Sequence, residues 1–347
     1  MAKSTQKHAI LTLLKQASGP LSLRDIASKI GHQASTRSLR RWLADLEAEN
    51  KVMRSGAGPS TTYQVISDPT ETATAFAASD SFAFLADLDP DLRTVLLNQI
   101  RDLWTHSSTA LEGNTLSLGD THFILEEGLT VSGKPLKDHQ EVRGHARAIE
   151  LLYQCIAHPL SDDVVFTLHR AVQTDHLGDI YKPIGAWKVE ANSTHIVGPD
   201  NKQTFIEYAL PLFVPRLMAE VLATINATRV ETVTLDNAAE IYAKIHMGIA
   251  HIHPLCDGNG RIARLLANIP LLKSGLPPLV IPQEQRRVYI ETLSTYQISI
   301  GQLTSTSGVW PDPEQLTEFE AFCGACYQST RELVGEIFEV KVARSAG

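Results

Sequence analysis

Apolar positions along this chain recur mostly at helical spacing, with two short stretches of strand character. From Gln6 to Lys15 the apolar residues Ile10, Leu11, Leu13 and Leu14 predict a helix, and Ser18-Gly19-Pro20 stops it. A second helix opens at Ser22, turns Ile26, Ala27 and Ile30 inward and leaves through Gly31. Ser35 or Thr36 caps a third, with Leu39, Trp42, Leu43 and Leu46 on one face and Arg37, Arg40 and Arg41 toward the outside. Between Val52 and Ile66 two β-compatible runs flank Gly56-Ala57-Gly58-Pro59, the pattern of a hairpin.

Residues 67–90, with Asp68-Pro69, Thr70, Thr72, Thr74 and an alanine-rich patch, read as a linker with room for one helix. After Asp89-Pro90 the helical pattern returns in Leu92, Val95, Leu96 and Ile100. Further helices are predicted over Val142–Ile156, Ser161–Val172, Tyr208–Asn226 and Asn237–Ala250, then from Pro282 and from Pro313 to about Val342. A helix carrying Ile262, Leu265, Leu266 and Ile269 should kink or end at Pro270, where one backbone bond is lost. The second strand-like stretch lies between Gly185 and Tyr208. There Trp187, Val189, Thr194, Ile196, Val197, Thr204 and Phe205 surround the turn Gly198-Pro199-Asp200-Asn201-Lys202. The chain is therefore expected to be mainly α with two hairpins.

Charge separates the head from the body. Residues 1–66 hold ten Lys or Arg against four Asp or Glu, a net +6 that leaves −14 on the rest of a chain totalling −8. The head pattern resembles winged helix-turn-helix domains, whose third helix enters the DNA major groove; a protein-interaction module with a solvated basic face fits the same pattern. At 347 residues, 43% of them apolar, the chain has length for two domains of ordinary globular composition. No apolar run is long enough to span a membrane and the first ten residues lack a signal-peptide core, so a cytoplasmic location is the default expectation. Four cysteines do not make a disulfide framework; Cys323 and Cys326 read as small buried apolar residues. His246, His251, His253 and Cys256 lie close in sequence, but a helix points His246 and His251 in different directions and disfavours zinc.

The densest candidate chemistry is HPLCDGNGRIAR, His253 to Arg264. Gly258 and Gly260 let the backbone approach a ligand and offer an anion nest at the start of a helix. Arg261 and Arg264, three apart, are neighbours able to grip two phosphates. Asp257 offers a hard oxygen to a divalent cation, Asn259 an amide to a phosphate oxygen, and His253 a base near neutral pH. Together these suit attack of a hydroxyl on a nucleotide phosphate.

This stretch resembles the signature HPFx(D/E)GNGRxxR of the Fic (filamentation induced by cAMP) family, departing at Leu255, a packing position. Upstream, SSTALEGN resembles the family's inhibitory (S/T)xxxE(G/N) element, placing Ser108, Glu112, Gly113 and Asn114 on its positions. The resemblance implies a Fic helical bundle over 91–347, with an inhibitory helix at about 91–114 and a flap hairpin at about 186–206, preceded by the winged head. It implies an autoinhibited protein adenylyltransferase that uses ATP with Mg²⁺, or Mn²⁺ in its place. His253 would be the general base, Asp257 the metal ligand, and Gly258, Asn259, Gly260, Arg261 and Arg264 the nucleotide site. Glu112 would hold Arg264 away from the γ-phosphate, the flap would present a target protein's Ser, Thr or Tyr hydroxyl, and Tyr289 would lie on a helix lining the nucleotide pocket. Two alternatives stay open: AMP removal with Glu112 positioning water, and a DNA-bound regulator with a nucleotide-sensing core. Homo-oligomerisation is compatible with all three.

Overall fold

The structure is a computed structural model, and it describes the chain except for residues 1–6, 8–9, 15–16, 18–19, 31–34, 49–50, 56–60, 66–81, 174–179, 198–202 and 347. The chain forms two compact units, Met1–Ala75 and Phe76–Gly347.

In the first unit, residues 10–14 are helical, followed by a two-residue strand β1 (Leu21–Ser22), helices α1 (Leu23–Ile30) and α2 (Thr36–Ala48), and strands β2 (Val52–Ser55) and β3 (Thr62–Val65). The strands form an antiparallel sheet in the order β1-β3-β2, with Val52 opposite Val65 and Leu21 opposite Tyr63. Strand β1 lies inside what the sequence pattern reads as the start of a helix; two residues carry no readable periodicity, and only pairing with β3 makes them a strand. Ile10, Ile26, Leu39, Leu43 and Leu46 are buried together, while Arg37, Arg40 and Arg41 of α2 are exposed. The turn at Gly56-Ala57-Gly58-Pro59 lies outside the described residues.

The second unit is helical apart from one hairpin. Its elements are α3 (Pro90–Ala110), α4 (Leu118–Glu127), α5 (Leu136–Cys155), α6 (Asp162–Val172), β4 (Ser193–Val197), β5 (Gln203–Glu207), α7 (Val214–Ala227), α8 (Ala238–Ile252), α9 (Asn259–Ala267), α10 (Ile269–Lys273), α11 (Arg286–Ile300) and α12 (Thr317–Ala346). Helix α8 runs through the centre, packed on α7, α9 and α12, and its last eight residues are all buried. Local signals set the boundaries. Pro90 opens α3 at a position whose N–H would go unused, a reciprocal Ser117–Asp120 capping box starts α4, and Gly128 ends it in the left-handed conformation. Pro270 separates α9 from α10 as its ring requires.

Several expected boundaries move. Phe82, Phe84, Leu85 and Leu88, from the expected linker 67–90, are buried in the core of the second unit, because their apolar side chains find a covering surface. Helix α3 stops at Ala110, so Glu112–Asn114 stand on the turn beyond the expected inhibitory helix. Trp187 and Val189 precede the hairpin rather than belong to it, the hairpin turn 198–202 lies outside the described residues, and α7 begins at Val214, after Pro211 has made a single 3-10 turn. Cys323 and Cys326 are buried in α12.

Candidate active site

His253 follows the last residue of α8 and caps it in the left-handed conformation, φ 51°, its N–H donating to Ile249 O. This backbone is unfavourable for a residue with a Cβ, costing about 1–2 kcal/mol, so the surroundings must hold it there. They do so on two sides. The imidazole stacks on Tyr208, with ring centres 4.0 Å apart and planes 6° from parallel. Its Nδ1 lies 2.9 Å from Asn192 Nδ2 and 3.1 Å from Asn259 Nδ2. Burial, with the charge of Lys188 adding to it, pushes the His253 pKa down to about 3, so the ring is neutral at neutral pH.

The loop then turns into α9 through Gly258, φ 77°, a conformation that suits glycine. The first N–H groups of α9 have no partner within the helix and face outward as an anion site. Asn259 does not present its amide there. Its Oδ1 accepts from Leu255 N–H and its Nδ2 donates to Leu255 O, so it staples the loop instead. Asp257 remains exposed, and its Oδ2 accepts from Gln173 at 3.0 Å and from Arg261 at 3.3 Å. Burial raises its pKa, but Arg261 and Gln173 more than offset this and hold it below the usual carboxylate range.

The two arginines diverge. Arg261 donates to Val172 O at the end of α6 and reaches Asp257, so it is not beside Arg264 as helical spacing predicts. Arg264, its side chain 2% exposed, turns toward the end of α3. There it donates to Ser108 Oγ at 3.0 Å, Ser108 O at 2.8 Å, Tyr289 OH at 3.0 Å and Glu112 Oε1 at 2.6 Å. Tyr289 OH lies 3.1 Å from His246 Nε2, which completes a buried chain behind the guanidinium.

Glu112 also covers the nest. A Cβ placed on Gly260 would stand 2.3 Å from Glu112 Oε1, so the carboxylate lies directly against the first turn of α9. Gly113 lets the chain turn at φ 101°, and Asn114 points away from the arginine. Its amide donates to Asp138 O and Glu141 on α5, tying the turn down. Arg286 donates to Leu111 O from the opposite side.

These groups line one cavity of about 320 Å³, a volume suited to a small ligand. Glu112, His253, Asn259, Gly260 and Tyr289 contribute to its wall, and Thr194, Ile196 and Ile206 bring the hairpin to it. The pattern reading missed Lys188, Asn192 and Gln173, which stand among strand-like or helix-end residues without a motif of their own. It also left Tyr208 as a helix start rather than a stacking partner of His253. His246 and His251 are buried in aromatic contacts, and among the described residues neither belongs to a group of metal-ligating side chains.

Comparison with known proteins agrees with this geometry. Residues 159–271 match the Fic/DOC family model. The chain is 33% identical over 207 residues to protein adenylyltransferase fic-1 of Caenorhabditis briggsae, covering 58% of this chain and 38% of the relative. It is 31% identical over 192 residues to protein adenylyltransferase Fic of Drosophila erecta, covering 54% of this chain and 35% of the relative. The chain thus spans well under half the length of these curated relatives. A crystal structure of a Fic domain containing signaling protein from Bacteroides thetaiotaomicron superimposes with a TM-score of 0.63 at 25% identity, covering 78% of this chain and 95% of that one. A Fic-1 fragment from Caenorhabditis elegans shares the fold at a TM-score of 0.54 and 21% identity, covering 92% and 82%. By its loop, its fold and these similarities, the chain belongs to the Fic/DOC family.

Proposed function

We propose that this protein is an autoinhibited protein adenylyltransferase that moves AMP from ATP to a Ser, Thr or Tyr hydroxyl of a protein, its own chain included. The observation that carries this reading is the Glu112–Arg264 pair, 2.6 Å long and seated over Gly260. It holds the site's most buried cation and blocks the anion nest with one carboxylate. An anionic ligand would need both.

In the transfer, the target's hydroxyl oxygen attacks the α-phosphorus of ATP, the bond from that phosphorus to the bridging oxygen breaks, and pyrophosphate leaves. His253 takes the hydroxyl proton, for which the ring must be neutral with a free nitrogen lone pair. The opening N–H groups of α9, at Gly258, Asn259 and Gly260, meet the charge that develops on the phosphate. Arg264, once released by Glu112, holds the terminal phosphates, and Arg261 adds positive charge beside Asp257. The donor set at Asp257, one exposed hard oxygen beside an anion site, fits Mg²⁺, which takes its other ligands from phosphates and water. Bound there, Mg²⁺ would offset phosphate charge. The β4–β5 hairpin, with Thr194, His195 and Phe205 exposed, offers an edge for an extended target segment.

The first unit is read as a winged helix-turn-helix domain. The strand order β1-β3-β2 and the exposed Arg37, Arg40 and Arg41 on α2 support contact with nucleic-acid phosphates. The enzymatic reading is tested by incubating Glu112→Gly with ATP and Mg²⁺ and mapping mass adducts. One AMP on a hydroxyl side chain is expected, and a phosphate adduct in its place would reject AMP transfer.

A further inference from the structure

Lys188 has no role in the mechanism above, yet its position is costly. Its side chain is 3% exposed, and among the described residues no carboxylate pairs with it. The ammonium donates to Asn192 Oδ1 at 2.5 Å and Ile252 O at 3.4 Å, and stands 6.0 Å from the centre of the Tyr208 ring. Burial pushes its pKa down to about 7. A buried charge without a counter-ion works against stability.

Asn192 supplies a reason for it. An ammonium has donors and no acceptor, so it turns the Asn192 carbonyl toward itself and the NH₂ group away. That NH₂ meets Leu255 O at 3.0 Å and His253 Nδ1 at 2.9 Å. Asn259 is oriented independently, because Leu255 N–H fixes its carbonyl at 2.8 Å and leaves its NH₂ facing His253 Nδ1 at 3.1 Å. With two N–H groups aimed at it, Nδ1 can only accept. The proton of the neutral ring therefore sits on Nε2.

We propose that Lys188 and Asn192 are a positioning pair that fixes His253 as the Nε2–H tautomer and so withholds its base from the pocket. The proposal rests on reading His253 as the base, and it adds a second restraint to Glu112. To receive a hydroxyl proton at Nε2, the ring must first exchange that proton with solvent and take one up on Nδ1. Nδ1–H then needs an acceptor, which Asn192 provides by turning its amide over. A charged Lys188 opposes the turn, because NH₂ would then face NH₃⁺. Asn259 can drop its contact with Nδ1 and keep its bond to Leu255 O.

Nitrogen NMR of the full chain labelled at its imidazoles reads the tautomer directly, with His253→Ala identifying the signals. The wild type should show a protonated Nε2 and an unprotonated Nδ1. Lys188→Met should introduce an Nδ1–H population. Asn192→Asp, which places a carboxylate at Nδ1, should convert the ring to Nδ1–H and raise AMP transfer several-fold in a Glu112→Gly background. A wild-type proton on Nδ1 would overturn the proposal, as would an unchanged tautomer in a folded Lys188→Met. If Lys188→Met does not fold, the wild-type and Asn192→Asp spectra decide. These spectra need neither nucleotide nor target, so they stand or fall apart from the AMP-transfer reading.

Discussion

Arg264 shows how far residue spacing carries and where it stops. The spacing of Ser108, Glu112 and Arg264 relative to two motifs suffices to expect their meeting, and they do meet across 152 residues of chain. The same logic fails for Arg261. Helical spacing places it beside Arg264, but the end of α6 offers an unpaired carbonyl at Val172 that draws it the other way. Asn259 fails similarly, because the free N–H and C=O of Leu255 claim its amide before any phosphate can. Unpaired backbone groups of this kind arise only when the loop is folded, so sequence spacing cannot reveal them. One prediction belongs at this scale. Gly260→Ala should not activate the enzyme although it evicts Glu112, because the new Cβ fills the same nest. ATP binding by Gly260→Ala, followed by calorimetry, should be lost, and tight binding would mean that the nest is not where phosphate sits.

Among the elements, the turn after α3 matters most. It is pinned by Asn114 to α5 and by Arg286 to Leu111 O, so Glu112 is delivered by a tethered segment rather than by a helix. Asn114→Ala should cost about 1 kcal/mol of stability and raise AMP transfer by less than Glu112→Gly does, because the carboxylate survives but is held less firmly. Labelling rates of the two variants side by side check the order, and equal activation would show that the tether and the charge act as one. The helices were legible from apolar periodicity and the β4–β5 hairpin from its β-formers. Strand β1 and the core role of Phe82–Leu88 were not. Two residues have no measurable period, and an alanine- and threonine-rich flank hides four apolar side chains whose burial depends on tertiary packing.

For the whole molecule, charge and burial make separate predictions. The basic first unit should give salt-dependent DNA binding in shift assays, weakened by Arg40→Ala and Arg41→Ala, and binding indifferent to salt would reject phosphate contact. In the second unit, burial depresses His169 and His251 to about 4 and His253 to about 3. Each binds fewer protons folded than unfolded, so stability should fall as pH drops from 6.5 toward 4, by about 1.4 kcal/mol per unit of each shift. His251→Gln, which removes a titrating group outside the site, should flatten that slope in thermal melts, and an unchanged slope would contradict the account. The central claim is that one carboxylate restrains a His253-dependent AMP transferase. Its most direct test is labelling by α-labelled ATP with Mg²⁺, comparing the wild type, Glu112→Gly and Glu112→Gly/His253→Ala. The account predicts strong label only in Glu112→Gly, at least about tenfold above the wild type. Equal labelling of wild type and Glu112→Gly, or label that survives His253→Ala, would contradict it.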